Sequence, residues 1–146
     1  MNEVPPILLS AIICDRVIFD KITGMPSLIN ILQTFNAPKY PLRCGSFVFF
    51  CEMTNGHGKT NTKIRLVDAQ KDEKIIFEQA GAVQFENVRQ ILTLAINLRG
   101  ITFEAPGEYR LQLLSEDTLL GERKIICREL QPPPKTSTDT TVQNKD

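Results

Sequence analysis

The stretch that most constrains the fold is the strict alternation that follows Pro106-Gly107. Proline cannot donate to a sheet ladder and glycine reaches backbone angles other residues avoid, so this pair marks a turn. From there Tyr109, Leu111 and Leu113 share one face, while Arg110 and Gln112 share the other. A period of two means a strand with one buried side. A polar turn follows at Ser115-Glu116-Asp117-Thr118, and the chain returns through Leu119-Leu120-Gly121 into Lys124-Ile125-Ile126-Cys127. The stretch Phe103 to Arg128 therefore predicts a hairpin. Tyr109, just after a turn and at the start of a late strand, is either a tyrosine corner of the immunoglobulin type or a plain tyrosine at the core edge.

The same period recurs along the chain. Leu92, Leu94, Ile96 and Leu98 alternate with Thr93, Ala95, Asn97 and Arg99; a helix would scatter these apolar residues around its circumference. Ile64 and Leu66 alternate with Lys63 and Arg65. Ser46 to Thr54 is the most apolar strand, with Phe47, Phe49, Cys51 and Met53 on its core face. Val48 and Phe50 fall on the other face, where a neighbouring segment covers them or they form an exposed patch for a partner. Ile7 to Ile13 predicts a first strand. Val17 to Asp20 and Ser27 to Phe35 predict a hairpin around Thr23-Gly24, and the run from Lys74 continues past Gly81, a place for a β-bulge.

Short strands at regular spacing, with no long helical period, give an all-β expectation: an immunoglobulin-like antiparallel β-sandwich of eight or nine strands over residues 1–130. From Gln131 the composition shifts to PPPKTSTDTTVQNKD. So polar a segment cannot offset its ordering entropy, and residues 131–146 are expected to be a disordered tail.

Composition narrows the function classes. The 146 residues suit one domain, and 17 basic residues balance 17 acidic ones. A nucleic-acid partner normally selects a basic excess, so none is expected. No apolar run approaches the ~18 residues that cross a membrane. Ile7 to Cys14 is preceded by Glu3 and no basic residue, which argues against a secretory leader and for a cytoplasmic protein. The cysteines Cys14, Cys44, Cys51 and Cys127 form no C-x-x-C pair, and His57 is the single histidine. Buried small hydrophobes are the expected role of the thiols, and neither a metal site nor a cofactor is expected.

Candidate chemistry is sparse. Gly58-Lys59-Thr60 echoes the end of a phosphate-binding loop, but Met53 stands where the pattern needs its first glycine. A strand also follows where a helix should. His57 lies between glycines with no nucleophile or acid identifiable beside it, and reads as a solvated turn residue. The carboxylates Asp15, Asp20, Asp68, Asp72, Glu73, Glu104, Glu108, Glu116 and Asp117 sit in turns without a calcium-loop spacing. Asp15 and Asp20 are expected to accept from turn backbone, Asp15 with a local ion pair to Arg16 as another option. No catalytic residue is assigned.

Cys14-Asp15-Arg16, Asp20, Thr23-Gly24, Ser27-Leu28-Ile29, Pro106-Gly107-Glu108-Tyr109 and Leu120-Gly121-Glu122 occur in one order from Ile7 to Arg128. In this the chain resembles a bacterial family of small, stand-alone domains of unknown function. That family carries a C-D-R-like motif, D-x-x-T-G-K with S-L-I after it, P-G-x-Y and L-G-E. This chain has Met25-Pro26 where lysine is usual and Asn30 where glycine often follows S-L-I. The resemblance implies a β-sandwich and brings no activity, cofactor or catalytic residue. The expectation is a non-catalytic module that binds another protein through a sheet edge or end loops. The alternative is a β-sandwich that binds a small ligand or carbohydrate, and an enzyme is not expected.

Overall fold

A computed structural model describes residues 4–131. The tail expected over 131–146 lies, but for Gln131, outside the described residues. The strands are β1 (Ile7–Phe19), β2 (Pro26–Ile31), β3 (Thr34–Ala37), β4 (Leu42–Arg43), β5 (Ser46–Thr54), β6 (Gly58–Asp68), β7 (Lys74–Phe85), β8 (Leu92–Arg99), β9 (Thr102–Phe103), β10 (Gly107–Ser115) and β11 (Thr118–Glu129). One 3-10 turn, Ala69–Lys71, separates β6 from β7. The fold is all-β, as the alternation requires.

Two sheets carry the architecture. One has the order β2-β1-β5-β8 and the other β3-β11-β10-β6-β7; β4 and β9 form a short pair of their own. The inward rows of both sheets meet in one core. Ile13, Phe49 and Leu98 come from the first sheet, and Leu66, Leu111 and Ile125 from the second.

The β10–β11 hairpin pairs from Gly107↔Cys127 to Ser115↔Thr118. Its turn residues Glu116 and Asp117 both hold positive φ, at 47° and 68°. Two left-handed residues make the turn whose twist matches a hairpin. At the other end Gly107 has φ 144°, and a Cβ there would lie 2.5 Å from Gln70 Nε2. That amide donates to Asp68 Oδ1 and to the Glu108 carbonyl. The Tyr109 hydroxyl donates to the carbonyl of Ala105, four residues upstream, at 2.6 Å. Tyr109 is thus the hydrogen-bonded form of the two readings, and its ring meets Phe103 edge-on at 4.8 Å.

Four local expectations are corrected. The antiparallel expectation fails at β3, which runs parallel to β11. The strand expected over Ser27–Phe35 is two strands. Leu32 N–H donates to Ile13 O in the first sheet, and Gln33 O accepts from Ile126 N–H in the second, so the chain changes sheets between residues 32 and 33. Ile7–Ile13 and Val17–Phe19, expected in separate elements, belong to one strand, and β1 runs for 13 residues with a register shift between Leu8 and Ser10. No bulge lies at Gly81, where Thr62↔Gly81 and Lys63↔Ala80 keep register. The irregularity in that pair falls between Leu66 and Val67.

Candidate functional site

The length of β1 creates the most exposed feature of the fold. Its first half pairs with β5, from Ile7↔Thr54 to Cys14↔Val48. Its second half pairs with β2 on the opposite side, from Cys14↔Ile31 to Phe19↔Pro26. Cys14 is the handover position, with a partner on each side. Beyond it, residues 15–19 have no register partner in β5, over about 17 Å at ~3.4 Å per residue. Paired only with β2, they form a two-stranded arm.

Alternation continues along the arm. Val17 and Phe19 share the face of Ala11 and Ile13, with the exposed Asp15 between Ile13 and Val17, and their register partners are Leu28 and Pro26. Val17 and Phe19 lie outside the core cluster that Ile13 belongs to. Phe19 is 51 % exposed, Met25 64 % and Ile22 94 %. Such a cluster at a projecting tip is the kind of apolar surface that marks a contact site.

The turn that carries the tip is held by short polar side chains. Asp20 Oδ1 accepts from the backbone N–H of Ile22 and of Thr23, each at 2.8 Å. These two N–H groups, Thr23 first, hold the Asp20 carboxyl below its ordinary pKa. Thr23 Oγ1 accepts from Met25 N–H at 3.2 Å. The Asp20 N–H donates to Met25 O and the Asp20 carbonyl accepts from Gly24 N–H, both at 2.8 Å. Gly24 takes φ 74°. The tip is therefore a fixed presentation of apolar side chains.

Other residues singled out in the sequence fall elsewhere. Asp15 is exposed within β1, outside any turn, and among the described residues no ion pair joins it to Arg16; the turn role holds for Asp20 alone. Gly58-Lys59-Thr60 opens β6, so its backbone pairs with β7 and cannot wrap a phosphate as a loop would. His57 is exposed in the β5–β6 turn. Val48 and Phe50 are 9 % and 4 % exposed and lie outside the main core cluster. In register, Val48 sits between Cys14 and Asn97, and Phe50 between Ile12 and Ala95. They are a buried second face of β5 rather than an open patch.

All four thiols are free, with Cys14, Cys51 and Cys127 buried. Burial pushes Cys51 and Cys127 up to about 12, which removes the thiolate that nucleophilic or metal chemistry needs. Among the described residues no three His, Cys, Asp or Glu side chains lie close enough to hold a metal ion. None of the described helices is long and apolar enough to cross a membrane.

Residues 9–128 match the family described as a family of unknown function, DUF6941. The chain belongs to this family. No curated protein matches it. Among solved structures, it is similar to a β-glucosidase from Listeria innocua in complex with isofagomine, at 12 % identity and a TM-score of 0.42. The same enzyme in complex with glucose gives 11 % identity and a TM-score of 0.43. These matches cover 65 % and 66 % of this chain but only 14 % and 15 % of the enzyme chains. The chain thus spans about one seventh of the enzymes it matches, and a likeness this loose says nothing of activity.

The motifs of this DUF6941 chain now have physical roles. The D-x-x-T-G stretch builds the arm's turn. Asn30, at φ 58°, occupies a left-handed position. There glycine is the easiest residue and asparagine the best-tolerated substitute. P-G-x-Y supplies the Gly107 approach and the Tyr109 bond. In L-G-E, a Cβ at Gly121 would lie 2.5 Å from Leu8 Cδ2. These residues shape backbone. The arm's projection itself was invisible in the sequence, because it depends on where β5 begins relative to β1.

Proposed function

We propose that this DUF6941 protein is a non-catalytic module that binds another protein through the β1–β2 arm. The observation that carries this reading is the exposed cluster Phe19, Ile22 and Met25 on a turn that hydrogen bonds fix in place. Burying an exposed apolar side chain of this size contributes about 1.5–3 kcal/mol, and a preset turn lowers the entropy lost on docking. Asp15, Arg16, Asp20 and Lys21 put both charge signs on the arm, so the contact is mainly apolar and withstands salt. The sheet order and the Tyr109–Ala105 bond support an immunoglobulin-like sandwich as the scaffold. The four free thiols fit a reducing, cytoplasmic setting.

The test is a paired capture from native lysate, using the wild-type chain and the double variant Ile22→Ser/Met25→Ser. Both residues are exposed, so the variant keeps its fold. One polypeptide near stoichiometry with the wild type, retained in high salt and lost with the variant, is expected. Equal recovery with both chains, or nothing with either, would sink the reading.

A further inference from the structure

The inner rows of the second sheet change character at one end of the sandwich. Along β10 the core-facing row runs Tyr109, Leu111, Leu113 and then Ser115; along β6 it runs Leu66, Ile64, Thr62 and then Thr60. Where the sandwich opens, between the β5–β6 and β10–β11 turns, apolar side chains give way to hydroxyls. Ser115 is 1 % exposed and Thr60 is also buried. A cavity of about 100 Å³ lies at this end, walled on one side by the apolar Val4, Pro5 and Pro6 and on the other by Thr60, Ser115, Thr118, His57 and Lys59. That is well above the ~10–15 Å³ that one water requires.

Ser115 Oγ is the one buried side-chain polar atom without a hydrogen-bond partner among the described residues. Burying a hydroxyl unpaired costs about 1–3 kcal/mol, and Ser115 is among the residues that line the cavity. Lys59 pairs with no carboxylate among the described residues. Glu116 also lines the cavity. Its carboxylate is already engaged, with Oε2 accepting from Asn61 N–H at 2.8 Å and Oε1 from Asn61 Nδ2 at 3.4 Å. The groups left over can all donate: a lysine ammonium, an imidazole and three hydroxyls. Donors around a small volume suit an acceptor-rich, negatively charged ligand.

We propose that this sandwich-end cavity binds a small oxyanion, phosphate or carboxylate, with Lys59 as its charge partner and Ser115 as its buried donor. The site differs from a phosphate-binding loop, because the backbone of Lys59 and Thr60 is committed to β7 and side chains supply the contacts. It is separate from the arm and does not depend on the arm's role.

The experiment titrates the full chain with inorganic phosphate, and separately with acetate, at constant ionic strength set by chloride. Binding is read by thermal shift and by amide chemical shifts. Saturable binding of at least one anion is expected, with shifts at Lys59, Thr60 and Ser115. Lys59→Gln should weaken it by about tenfold or more, the loss typical of a charge-assisted bond. Ser115→Ala should also weaken it, while leaving the melting temperature of the unliganded protein unchanged or raised; a purely structural hydroxyl would lower that temperature. The response to phosphate or to acetate tells the two chemistries apart. No saturable response to either, or full affinity in Lys59→Gln, would overturn the proposal.

Discussion

Asn30 shows how one side chain sets the local path of a strand. At φ 58° inside β2 it is skipped by the pairing, which steps from Arg16↔Ile29 to Cys14↔Ile31. A left-handed residue with an ordinary Cβ costs roughly 1–2 kcal/mol, and asparagine and glycine escape most of it. Asn30→Ala is therefore expected to lower unfolding free energy by about 1 kcal/mol, with Asn30→Gly neutral or slightly stabilising; urea melts of the three chains decide it. Tyr109 makes a comparable contribution by another route. Tyr109→Phe keeps the ring against Phe103 and removes the hydroxyl that bonds the Ala105 carbonyl. The expected loss is about 1 kcal/mol, near the net value of one such bond, seen as a drop of a few degrees in melting temperature.

Elements differ sharply in how many neighbours support them. β5 lies between β1 and β8, and β10 between β11 and β6, whereas the arm beyond Cys14 has one partner strand only. An isolated two-stranded ribbon is marginal in water, so the arm belongs to the low-stability end of the fold. Hydrogen exchange should show the paired arm amides of Ile18 and Ser27 exchanging much faster than those of Phe49 and Leu111; equal protection would mean the arm is covered. The sequence made most of the sandwich legible. Strict alternation placed β8, β10 and β6, and the turns at Thr23-Gly24, Pro106-Gly107 and Glu116-Asp117 are where their residue types put them. It hid whatever depends on pairing between distant segments. Nothing in Ser27–Phe35 announces that the chain leaves one sheet at Leu32 and joins the other at Gln33. Nothing in Asp15–Phe19 says that pairing with β5 has stopped at Cys14. The buried Val48 and Phe50 were legible as a face but not in their burial. The hydroxyl row that closes at Ser115 follows the alternation, yet its orphaned oxygen required the packed end of the sandwich.

At the scale of the whole molecule, two cysteines and a tyrosine are held protonated by burial. Burial raises Cys51 and Cys127 from 9.0 to about 12, and raises Tyr40 from 10.0 to about 12. The Tyr40 hydroxyl has the carbonyls of Phe35, at 3.1 Å, and Arg128, at 2.9 Å, as acceptors, and so sits across the parallel β3–β11 pair. Each of these groups loses its proton more readily unfolded than folded. Their stabilisation is complete below pH 9.0 and is lost as pH rises toward about 12. Unfolding free energy from urea melts should fall steadily across that window, and Cys51→Ala/Cys127→Ala should flatten the slope even though the cavities lower stability throughout. A slope unchanged by the double substitution would assign the alkaline loss to other groups.

The arm's role as a docking element is tested most directly by placing a photocrosslinking amino acid at position 22, on the arm, and at position 119, an exposed apolar site on β11 away from the tip. Irradiation in cells is predicted to give one adduct of defined mass from position 22 and none from position 119. No adduct at position 22, or the same adduct from both positions, would contradict the assignment of binding to the arm.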